Sequence, residues 1–109
     1  MIEVTTKGEH TFTMHDRDKK VKVKSKKGHK VEIDDAGDTI TVADKNGNTI
    51  TIASGGNTIE LKCMGNFTID AKGKVSISGT AGVDVNTPAM MNLEATGINT
   101  IKGSLVKIN

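Results

Sequence analysis

The chain has 109 residues, a formal net charge of +2 and a single cysteine, Cys63. Hydrophobic residues make up 35% and aromatics 2%, with neither Trp nor Tyr. One domain is expected at this length; an intrachain disulfide and an aromatic-rich core are excluded, and Val and Ile recur too regularly for a disordered chain.

Residues 1–30 carry nine Lys or Arg against four Asp or Glu, and Lys19, Lys20, Lys22, Lys24, Lys26 and Lys27 form a cluster. Apolar pairs spaced i, i+2 begin here, at Phe12/Met14 and Val21/Val23. Such a pair puts both side chains on one face of a strand. Lys20, Lys22 and Lys24 alternate with Val21 and Val23, so the cluster is predicted to be the solvated face of a strand. No aromatic residue interleaves to stack on bases, and no nucleic-acid partner is expected. This segment forms the first region, basic strands leading into the repeats.

The second region, 31–58, continues with Val31/Ile33, Ile40/Val42 and Ile50/Ile52 at nine- or ten-residue spacing. Turn chemistry separates the pairs: Asp35-Ala36-Gly37, Lys45-Asn46-Gly47-Asn48 and Ser54-Gly55-Gly56-Asn57.

The third region, 59–109, is written in eights. One apolar column holds Ile59, Phe67, Val75, Val83 and Met91, then breaks at Asn99; a second holds Leu61, Ile69, Ile77, Val85, Leu93 and Ile101. Small residues fill the corner column at Gly65, Gly73, Ala81, Ala89 and Gly97, where glycine can adopt positive φ. Leu105 replaces the small residue in the last line, and Val106/Ile108 close the series. Pro88 falls at a turn position. No window has helical periodicity, and essentially no helix is expected. A fixed period with one strand per repeat predicts a solenoid.

Two apolar residues per strand give one chain too little to bury, and small domains are already marginal. The expected core is therefore shared between three copies, as an all-β, intertwined trimeric three-sided β-helix. Its core would hold the column residues together with Val31, Ile33, Ile40, Val42, Ile50 and Ile52. Eleven strands at roughly 4.8 Å per layer would stack to about 50 Å. In such a trimer an inward residue recurs three times around the axis. Asn99 then has two readings: a polar site on the axis, or a register change that turns Ile98 inward.

The run Gly28-His29-Lys30-Val31-Glu32-Ile33-Asp34-Asp35, followed by Asp44-Lys45-Asn46-Gly47-Asn48-Thr49-Ile50-Thr51-Ile52 and the octads, resembles the needle of contractile-tail spike proteins. These are the VgrG proteins of type VI secretion, the V-type spikes of phage baseplates and the spikes of extracellular contractile injection systems. The matching positions are Gly28, His29, Asp34, Asp35, Gly47, Asn48, Ile50 and Ile52, and the resemblance spans roughly residues 20–109.

The resemblance implies a structural, membrane-puncturing spike, made in the cytoplasm, assembled into a phage or phage-tail-like particle and driven into a target cell envelope. It implies attachment to a tail tube or hub through an N-terminal region that this chain lacks, and a PAAR-type tip protein on Leu105, Val106, Lys107, Ile108 and Asn109. Some spike tips hold iron on a His-x-His spacing; His10, His15 and His29 do not have it, so no metal or other cofactor is expected. Cys63 lies in a column of small residues and is assigned to packing. No catalytic constellation is found. The rival readings are a polymerising or adhesive β-solenoid stalk and, with less support for want of aromatic sugar platforms, a carbohydrate-active β-helix enzyme.

Overall fold

The computed structural model describes residues 1–109, in two compact units, 1–70 and 71–109. The protein is all-β, without helix. Seven strands form one sheet: β1 (Ile2–Thr5), β2 (Thr11–His15), β3 (Lys20–Lys24), β4 (Lys30–Asp34), β5 (Thr39–Ala43), β6 (Thr49–Ala53) and β7 (Thr58–Lys62). Their spatial order is their chain order, and every neighbouring pair is antiparallel. The result is an open meander about 29 Å across its six strand spacings. It continues unbroken across 30/31 and 58/59, where the repeat spacing divides the sequence.

The meander differs from the expected path, in which each strand passes to the next face of a closed prism. The reason is local: from β2 onward, strands of five residues are joined by loops of four or five. Loops this short return the chain beside the strand it has just left. Strand Ile2–Thr5, with Ile2 and Val4 on one face, is a further member of the series that the sequence reading missed.

The loops alternate strictly. Five-residue loops span 6–10, 25–29 and 44–48; four-residue loops span 16–19, 35–38 and 54–57. Strands β2, β4 and β6 therefore start at Thr11, Lys30 and Thr49, and β3, β5 and β7 at Lys20, Thr39 and Thr58. The nine- and ten-residue spacings are two halves of one hairpin repeat.

Each loop class has a fixed conformation. The fourth residue of every five-residue loop is left-handed: Glu9 (φ 66°), Gly28 (φ 97°) and Gly47 (φ 92°). In the four-residue loops it is the last: Lys19 (φ 56°), Asp38 (φ 54°) and Asn57 (φ 53°). The first side chain of each five-residue loop accepts the N–H of the fifth residue: His10 to Thr6 Oγ1 at 3.2 Å, His29 to Ser25 Oγ at 3.2 Å, Asn48 to Asp44 Oδ1 at 2.9 Å. Short polar side chains are favoured here because they satisfy turn amides that the ladder leaves free.

Beyond Lys62 the chain forms no ladder with itself. The octad pairs Phe67/Ile69, Val75/Ile77, Val83/Val85 and Met91/Leu93, expected as strands, have no backbone partner within the chain. The corner column also differs from expectation. Gly65, Gly73 and Gly97 do not have positive φ; Gly82 is the one glycine of this segment that does, at 156°.

Candidate functional site: an uncovered apolar face

Directly opposed residues in an antiparallel sheet point to the same side. Following the register across the strands gives two unbroken apolar rows on one face. The first runs Val4, Phe12, Val23, Val31, Val42, Ile50, Leu61. The second runs Ile2, Met14, Val21, Ile33, Ile40, Ile52, Ile59. No polar residue interrupts either row. Phe67 joins part of the first row in lining an open groove of about 560 Å³.

The chain buries none of this. It has no buried hydrophobic residue, and Ile33, Ile40 and Ile50 are 41%, 39% and 43% exposed. The opposite face carries the central row Thr13, Lys22, Glu32, Thr41, Thr51, Glu60. In β2, β4, β5 and β6 these polar positions are the half-buried ones and the apolar positions are exposed. Threonine, lysine and glutamate cover one another across strands, while nothing lies over the valines and isoleucines. A contiguous apolar patch of this extent is the candidate interaction surface of the chain. Covering one Val or Ile side chain fully stabilises by about 1.5–3 kcal/mol.

Lys20, Lys22 and Lys24 lie on the polar face of β3. Lys20 pairs with Asp34 across the strands at 3.9 Å. Two of the histidines serve turns through their rings: His15 Nδ1 accepts the Asp18 N–H at 3.0 Å and His10 Nδ1 accepts the Lys26 N–H at 3.2 Å. Asn48 acts at the corresponding place in its own loop, its Oδ1 accepting the Met64 N–H at 2.8 Å. Cys63 is exposed and donates to the Asn66 carbonyl at 3.1 Å.

The Asp44 carboxyl is held below its ordinary pKa by hydrogen bonds within its own loop. The Asn48 side-chain amide donates to it at 2.7 Å, and the Asn46 and Asn48 N–H groups at 2.8 and 2.9 Å. Desolvation opposes this without reversing it.

Leu105, Val106 and Ile108 are exposed, as is every residue from Ser54 onward, so exposure does not set the final five residues apart. Asn99 and Ile98 are both exposed, and the chain alone turns neither inward. No helix is long and apolar enough to cross a membrane. No group of three or more His, Cys, Asp or Glu side chains is placed to hold a metal ion. No protein-family model matches the sequence, and no curated protein matches it.

Proposed function

We propose that this chain is the needle of a contractile injection machine, a homotrimeric three-sided β-helix that crosses a target membrane by force. The observation that carries the reading is the pair of apolar rows with no residue of the chain lying over them. Two rows are too narrow a face for a broad sandwich, and they suit the inside of a slender prism to which three copies each contribute one wall. The octads support the same reading. They keep both apolar columns for four further repeats yet have no ladder within the chain, so strands from other copies are the natural partners for their backbone groups.

A mechanical role follows from such an assembly. Closing the walls covers the apolar rows of all three copies and leaves unpaired strand edges only at the ends of the rod. Intertwined octads let no copy leave without breaking contacts with two others, which makes unfolding slow. The polar outer face, with Lys62, Asp70, Lys74, Asp84 and Lys102, keeps the needle from partitioning into lipid. On this reading the hub attaches near the N-terminal end, and a PAAR-type protein sits on Leu105 to Asn109.

Light scattering on the purified protein tests the reading. A trimer has three times the 11.5 kDa chain mass and survives SDS without boiling. A monomer sinks the proposal, and an open-ended polymer favours the stalk.

A further inference from the structure

The meander sorts charge in a way that its linear order conceals. Successive loops fall on opposite edges of the sheet, so the three five-residue loops line one edge and the three four-residue loops the other. The five-residue edge carries Lys7, Lys26, Lys27 and Lys45 against Glu9 and Asp44. Next to it on the polar face, Lys24 stands directly opposite Lys30, a like-charge pair that destabilises an isolated sheet. The four-residue edge carries Asp16, Asp18, Asp35 and Asp38 against Arg17 and Lys19. One edge is basic and the other acidic.

Hydrogen bonds also join neighbouring loops along each edge, through all three loops on the acidic one. On the basic edge the Lys26 N–H donates to His10 Nδ1, the Met64 N–H donates to Asn48 Oδ1, and Lys26 Nζ meets Glu9 Oε2 at 3.1 Å. On the acidic edge the Asp35 N–H donates to the Lys19 carbonyl at 2.9 Å and the Ser54 N–H to the Asp38 carbonyl at 2.8 Å. The loops of one edge are offset by one strand from those of the other. When two edges meet level, the inner loops of one face the gaps between the loops of the other.

We propose that this charge division sets how copies of the chain join: the basic edge of each sheet docks against the acidic edge of the next copy. This rests on the shared-core reading above and adds its geometry. Rotation about an axis parallel to the direction of strand stacking brings unlike edges together at every corner, a head-to-tail contact that closes into a ring. Rotation about an axis along the strands would set like edges together. An acidic neighbour also offers Lys24 a partner that the chain itself does not supply, whereas Lys30 already lies 4.0 Å from Glu32. Like-charge juxtaposition against wrong arrangements supplies specificity even where each exposed pair adds little affinity.

A charge swap tests this. Lys27→Glu with Lys45→Glu makes both edges acidic; Asp16→Lys with Asp35→Lys makes both basic. The Lys27, Lys45, Asp16 and Asp35 side chains make no hydrogen bond or ion pair within the chain, so the fold of the sheet is left alone. Each double variant is expected to speed dissociation of the assembly by about tenfold at low salt, with the effect screened at high salt. The quadruple variant, with its edges exchanged, is expected to recover wild-type kinetics. Assembled double variants with wild-type kinetics, or a quadruple variant worse than either double, overturn the edge docking and leave the shared core standing. A monomeric wild-type protein overturns both.

Discussion

Residues 1–62 and the octads that follow Leu61 have the same apolar pair spacing within each strand but opposite relations to their own chain. In the first region, loops of four and five residues fold each strand onto the last, and the chain supplies its own backbone ladder. In the second, the repeat shortens to eight and no ladder forms. What separates them in the sequence is repeat length rather than apolar pairing: i, i+2 pairs of Val, Ile and Leu occur in both. Neither region supplies a cover for its apolar side chains. In the proposed trimer the first region takes only its core from other copies, and the second takes its core and its backbone bonds together.

The largest effect expected from this contrast is at the apolar rows. Ile40→Asp places a charge where another copy should sit, at a cost on the order of 4 kcal/mol or more if the site is desolvated, and assembly is lost. Thr41→Asp, one residue away on the polar face, stays within about 0.5 kcal/mol. Mass measurements on the two variants decide it: equal behaviour would show that the row is not an interface.

Hydrogen exchange on the wild-type protein reads the second region directly. If other copies complete the octad ladder, amides of residues 67–101 exchange as slowly as those of β3 to β6. Fast exchange there, in an assembled protein, would confine the shared core to the meander.

Much of the first region could be read from residues alone. The pairs from Phe12/Met14 to Ile59/Leu61 all lie on strands because i, i+2 alternation is a local signal. The hairpin period was hidden because loop lengths alternate by one residue, so single strands look irregularly spaced. Ile2/Val4 is a terminal pair with no turn before it, so nothing local in the sequence marks it as a strand. The partition of charge was invisible for a topological reason. Counted along the chain, Asp16, Arg17 and Asp18 sit among lysines; the meander sends Lys26 and Lys27 to one edge and these residues to the other. For the octads, column and period were legible, but a repeat does not state which chain supplies its neighbour.

Glycines give a smaller and more local comparison. Gly47 has φ 92°, and Ala there is strained, costing about 1 kcal/mol or somewhat more. Gly97 lacks positive φ, and a Cβ at that position meets nothing within 4 Å. Gly97→Ala is therefore expected to change stability by less than about 0.5 kcal/mol. Thermal unfolding of the two variants compares them. A cost at Gly97 matching that at Gly47 would mean that the octad corners press against another copy.

The smallest expected effect separates loop chemistry from assembly. The Asp44 carboxylate accepts three hydrogen bonds from Asn48 and Asn46, which hold its pKa below the ordinary 3.8. A lowered folded-state pKa means that the unfolded chain binds its proton first as pH falls. The contribution of Asp44 is thus fully present above pH 3.8 and is lost as pH falls through the lower folded value. Asp44→Asn keeps one acceptor oxygen but removes the charge, so loop 44–48 in this variant should lose that part of its acid sensitivity. Amide exchange at Asn48, followed from about pH 5 downward with the β5 amides as the internal reference, would register it. An unchanged pH profile in the variant would show that Asp44 does not carry the acid response of this loop.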